Sequence, residues 1–91
     1  MADRMHVKVV GRAKEMLEKV PENEAWQQVA ARIQFEFWAI QSGYVTPQVE
    51  PGEFGIHEVD LGKHRVAKLC MRRPTQRILE VHLVKLVVRR Y

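Results

Sequence analysis

The run RILEVHLVKLVV, residues 77–88, carries apolar side chains at both odd and even positions. Successive side chains of a strand point to opposite faces, so Leu79, Val81, Leu83 and Val87 fall on one side and Ile78, Val84, Leu86 and Val88 on the other. A strand apolar on both sides belongs in the interior of a sheet, covered on both sides over much of its length. Two further runs precede it, FGIHEVDL and HRVAKLCMRR, divided by the turns Leu61-Gly62-Lys63 and Arg73-Pro74-Thr75-Gln76. Links this short force an antiparallel meander, because parallel neighbours need a long crossover.

The first half of the chain reads differently. His6-Val7-Lys8-Val9-Val10 fits a short strand ending at Gly11. Residues 12–19, RAKEMLEK, form a short helix that Pro21 interrupts, since proline disfavours the helical state in the residue before it. A second helix starts near Glu22 or Asn23 and runs to Gln41 or Ser42, with Gly43 as its stop. At 100° per residue, Trp26, Val29, Ala30, Ile33, Phe37 and Ile40 share one stripe. Phe35 and Trp38 lie off it, either under a loop or as a contact for a partner or a second copy. Tyr44 to Phe54, with two prolines and a glycine, is a loop. The expected fold is therefore α+β in the order β-α-α-β-β-β, with both helices on one face of an antiparallel sheet. Ninety-one residues make one domain.

Composition narrows the classes. A lone cysteine, Cys70, excludes an internal disulfide framework. The opening MADRMHVKVV lacks the apolar centre of a signal peptide, and no apolar run approaches the length that spans a bilayer. A soluble cytoplasmic protein is expected. Charge is divided unevenly: residues 1–61 hold six Lys/Arg against ten Asp/Glu, and residues 62–91 hold nine against one. Such asymmetry points to a polyanion or an acidic protein partner, or to a solvated basic edge that prevents aggregation. His6, His57, His64, His82 and Cys70 show no metal-ligand spacing, and no metal or other cofactor is expected. No glycine motif for phosphate is present. Glu80 and His82, two apart on one strand face, read as a surface hydrogen-bonded pair.

The segment GKHRVAKL, the valine-rich strand after it and the basic-tyrosine end Arg89-Arg90-Tyr91 together resemble the RelE/YoeB group of toxin–antitoxin toxins. At residue level the resemblance is confined to Phe54–Tyr91, with His64-Arg65 matching a His-Arg dipeptide and Glu50-Pro51 resembling the place of a family glutamate. It implies an mRNA endonuclease acting on the ribosome and held inactive by an antitoxin. Carried over residue by residue, Arg65 would contact the scissile phosphate, with Lys85, Arg90 and Tyr91 at the catalytic end and Glu50 as base, His82 behind it. Lys63, His64, Lys68, Arg89 and Arg90 would hold RNA. The chain departs from the pattern at Leu86, where RelE has a catalytic arginine, and in lacking a histidine near the end. A ParE-like relative that inhibits a protein target and a non-catalytic basic binding module are the competing expectations. All versions of the nuclease reading require Arg65, Lys85 and Arg90 to converge on one anion-receiving hollow.

Overall fold

The structure, a computed structural model, describes residues 4–19 and 23–89, so Arg90 and Tyr91 lie outside the described residues. Six elements follow one another: β1 (His6–Val9), α1 (Gly11–Glu18), α2 (Glu24–Gln41), β2 (Phe54–Gly62), β3 (Arg65–Arg72) and β4 (Ile78–Val88). The expected order is present. The sheet, however, is mixed rather than antiparallel, with strand order β1-β4-β3-β2. β2, β3 and β4 form the antiparallel meander, and β1 joins β4 in parallel. Two antiparallel steps leave β2 parallel to β4, so the β1-to-β2 link must cross the whole sheet. The two helices are that crossover, as a parallel relation between successive strands demands.

Both helices cover the same face. Val29, Ile33, Phe37 and Ile40 of α2 and Ala13 of α1 are buried against Val59 of β2, Ala67, Leu69 and Met71 of β3, and Leu79, Val81 and Val84 of β4. Local signals set the ends of α2. The Asn23 side chain accepts hydrogen bonds from the Ala25 and Trp26 N–H groups, satisfying donors that the first turn leaves open. At the other end Gly43 has φ +81°, a left-handed stop that only glycine adopts freely. Among the described residues, no helix is long and apolar enough to cross a membrane.

β4 corrects the expectation of a strand covered on both sides. Its register steps at one point: Met71 pairs with Val81, but Cys70 pairs with Leu83, leaving His82 as the extra residue of a bulge. A one-residue step exchanges the faces of everything beyond it. Leu79 and Val81 before the bulge therefore share the helix-covered face with Val84, Leu86 and Val88 after it. The opposite face receives Ile78, Glu80, Leu83, Lys85 and Val87. The bulge gathers Leu79, Val81 and Val84 under the helices, while Ile78, Leu83 and Val87 stay half-buried on the other face, over which no described helix packs.

Beneath the helices sits a buried polar cluster. Glu36 of α2, 6% exposed, meets His57 of β2, 2% exposed, with 2.7 Å between Oε2 and Nε2. The Gln48 N–H donates to His57 Nδ1 at 3.1 Å, so the ring proton is on Nε2 and is donated to Glu36. Arg32, one turn earlier, holds the other Glu36 oxygen at 3.0 Å. Burial alone would raise the Glu36 carboxyl, but the hydrogen bonds from His57 and Arg32 outweigh it and hold it below the ordinary carboxylate range. A carboxyl depressed by folding contributes stability that is complete above its unfolded value, about 4.3, and is lost as pH falls through the folded value. Glu36→Gln should therefore show a smaller loss of stability than the parent between about pH 5 and pH 2.5. Urea unfolding midpoints across that range measure it, and equal losses would place the acid sensitivity elsewhere.

Candidate nucleic-acid interface

The uncovered sheet face is built by alternation from Phe54, Ile56, Glu58 and Asp60 of β2, Val66, Lys68, Cys70 and Arg72 of β3, and the residues of β4 named above. Its centre is a row across three strands, Glu58–Lys68–Lys85, each in direct register with the next. Lys68 and Lys85 thus face each other across an antiparallel pair. Like charges so placed repel and destabilise the sheet. Neither has an ion-pair partner among the described residues, because Glu58, which stands in register with Lys68, gives its carboxylate to Arg89 instead. Arg89 follows the end of β4 and reaches across β3 to do so. Val66 lies on this face between the two ends of that bridge and is only 5% exposed.

The β2–β3 hairpin forms the adjoining edge. Its two-residue turn is Lys63-His64, with φ +52° and +62°. Twisted strands favour such left-handed turns, but asparagine and glycine usually supply them. Asp60 Oδ1 accepts from the Gly62 N–H at 2.8 Å, and the Arg89 N–H donates to the His64 carbonyl at 2.7 Å, which ties the end of β4 to the turn. A hollow of about 460 Å³ opens here, lined by Lys63, His64, Arg65, Arg89, Glu58 and Asp60. Arg65 begins β3 on the helix-side parity, with Ala67 and Leu69. Its Nε is enclosed and has no hydrogen-bond partner among the described residues, and neither Glu58 nor Asp60 forms the ion pair with it that is the ordinary alternative for such an arginine.

The structure brings together four of the residues expected to hold RNA or its phosphate, Lys63, His64, Arg65 and Arg89, with Lys68 and Lys85 on the neighbouring open face. It does not assemble the expected catalytic set. Arg65 and Lys85 sit on opposite parities of the sheet, so they do not converge on one point. Glu50 is in the loop before β2, where the Gly52 N–H bonds the Arg73 carbonyl. Arg73 and Arg65 are eight residues apart on one extended strand, which puts Glu50 at the far end of the sheet, about 25 Å from Arg65. Arg90 and Tyr91 fall outside the described residues. His82 is occupied by Glu80, 3.1 Å away, as the surface pair expected from their spacing. Two features escape sequence reading. The Glu58–Arg89 bridge joins residues 31 positions apart, and Phe54 carries the Arg72 guanidinium over its exposed ring at 5.6 Å. Arg72-to-Phe54 pairing becomes visible only once the hairpin register is counted outward from Gly62.

No family model, curated protein or solved structure matches this chain. The left-handed conformation at Lys63 costs of order 1 kcal/mol for a residue with a Cβ, less for asparagine. Lys63→Asn should hold or raise stability while removing a cation from the hollow. Thermal unfolding combined with RNA titration checks this, and a lowered melting temperature would contradict the strain assigned to the turn.

Proposed function

We propose that the protein is a nucleic-acid-binding module that holds a single RNA strand along the open face of its sheet. The observation that carries this reading is the Lys68–Lys85 pair: two lysines directly opposed in register, neither ion-paired among the described residues, whose repulsion a bound anion would relieve. Lys63 extends the positive line to the hairpin hollow, where Arg65 adds its guanidinium beside the Arg89–Glu58 ion pair. A planar fork of this kind suits a phosphate better than an ammonium does. At the other end of the same face Phe54, 76% exposed and backed by Arg72, offers a ring on which an unpaired base stacks.

Binding rather than cutting is what this geometry supports. Cleavage through the RNA 2′-OH needs a base within hydrogen-bond reach of the hydroxyl and cations on the same phosphate. Glu50, the carboxylate expected for that role, is separated from Arg65 by the length of the sheet. The toxin resemblance therefore contributes its RNA contacts to the proposal and not its chemistry, and an antitoxin partner enters only if the cleavage outcome below is found.

Binding of a labelled single-stranded RNA between 50 and 200 mM salt tests the reading. Affinity should fall with salt, with a logarithmic slope of about −0.7 per phosphate contact. Lys68→Gln combined with Lys85→Gln should make that slope shallower by about 1.4. Because the pair repels itself, the same double variant should be at least as stable as the parent. A salt-independent affinity, or an unchanged slope in the double variant, would reject the open face as the binding surface. RNA fragments ending in 2′,3′-cyclic phosphate would restore the nuclease reading.

A further inference from the structure

Away from the open sheet face, three aromatic rings form a ladder on the flank of α2. Phe35 and Trp38 have centroids 5.5 Å apart, and Trp38 and Tyr44 stack at 5.5 Å with planes inclined by 30°. Arg32 caps the Phe35 end, its guanidinium 5.8 Å from the ring centre. None of the three is under a loop: Phe35 is 58%, Trp38 51% and Tyr44 76% exposed. Tyr44 reaches its place because the N–H groups of Tyr44 and Val45 both bond the Ala39 carbonyl, folding the chain back at the end of the helix.

Beside the Trp38–Tyr44 end lies a hollow of about 680 Å³, lined also by Arg4, Met5, His6 and Gln41. That size lies within the range of small-ligand sites. Its walls combine flat aromatic surface with donors. Gln41 Oε1 accepts from the Val7 N–H, and neither N–H donor of its amide has a partner among the described residues. Arg4 has no ion-pair partner among the described residues, and no described carboxylate lines the space. A ligand complementary to this surface is planar, aromatic and anionic.

A second copy of the chain fits less well. Three aromatic side chains of about 150–250 Å² each, exposed to these fractions, offer roughly 280–460 Å², about half of the roughly 800 Å² per partner that a stable dimer uses. A copy would also bring a second Arg4 to a surface without acids. We propose that the hollow beside Trp38 and Tyr44 binds a nucleoside monophosphate, its base continuing the aromatic ladder and its phosphate held by Arg4. This site is independent of the RNA surface proposed above.

Calorimetric titration with adenosine monophosphate tests it, with adenosine and ribose 5-phosphate as the halves of the ligand. The monophosphate should bind saturably below millimolar concentration, adenosine more weakly, and ribose 5-phosphate at least tenfold more weakly. Trp38→Ala should cost roughly ten- to one-hundred-fold in affinity, the range expected for one stacked base. Tyr44→Ala, at a position three-quarters exposed, supplies the same measurement should Trp38→Ala fail to fold. Arg4→Ala should lower monophosphate affinity to that of adenosine and leave adenosine unchanged. The proposal is overturned by absence of saturable binding, by ribose 5-phosphate binding as well as the monophosphate, or by unchanged affinity in the folded aromatic variants. Loss of monophosphate binding in the Lys68→Gln, Lys85→Gln variant would also overturn it, by moving the site to the sheet face.

Discussion

The buried hydrogen bond between Glu36 and His57 fixes how the helical layer sits on the sheet. α2 is joined to the meander only through the loop 42–53, and β2 is an edge strand, so apolar contact alone would permit the helix to slide. A charged carboxylate under the helix allows one position, because leaving it unpaired costs several kcal/mol. His57 also receives the Gln48 N–H, and Gln48 in turn accepts from the Glu58 N–H at 2.8 Å. One imidazole thus orients helix, loop and strand together. The same link covers part of the otherwise open edge of β2, where unpaired backbone groups invite association.

With the helices fixed on one face, the other is left for solvent and charge. The acids of the meander are occupied locally: Glu58 by Arg89, Asp60 by the Gly62 N–H, Glu80 by His82. What remains without an ion-pair partner among the described residues is the lysine pair at the centre of the face, with Lys63 at the hairpin. The uneven charge of the chain therefore becomes a surface with a direction, running from the turn at Lys63 toward Phe54. A sheet covered on both sides could not present it.

Much of the fold was legible because local chemistry and periodicity agree. Asn23, the stripe from Trp26 to Ile40 and Gly43 mark α2 within about a residue of its true ends. The turns at Gly62 and Pro74 separate the strands correctly. The parallel β1–β4 pairing was not legible, since nothing in five residues of mixed valine and charge says which neighbour they meet. Glu36 was readable in principle: it lies three residues from Ile33 and four from Ile40, at the edge of the apolar stripe. A carboxylate there needs a buried partner. Apart from Glu50, which the loop places at the far end of the sheet, the candidate site was disrupted by a change of parity. Counted without a bulge, Lys85 shares parity with Leu79 and Val81 and so would stand on the Arg65 side. The extra residue at His82 turns Lys85 to the opposite face, and bulges leave little trace in a pattern of alternating residues.

The parallel pairing of β1 with β4 sets the order in which the chain can be completed during synthesis. β1 has its hydrogen-bonding partner in β4, and α1 rests chiefly on that same strand. Until residues 78–88 leave the ribosome, the N-terminal strand and helix have no surface on which to settle. The N-terminal strand and helix therefore wait for β4, whereas β2 and β3 can pair before it is made.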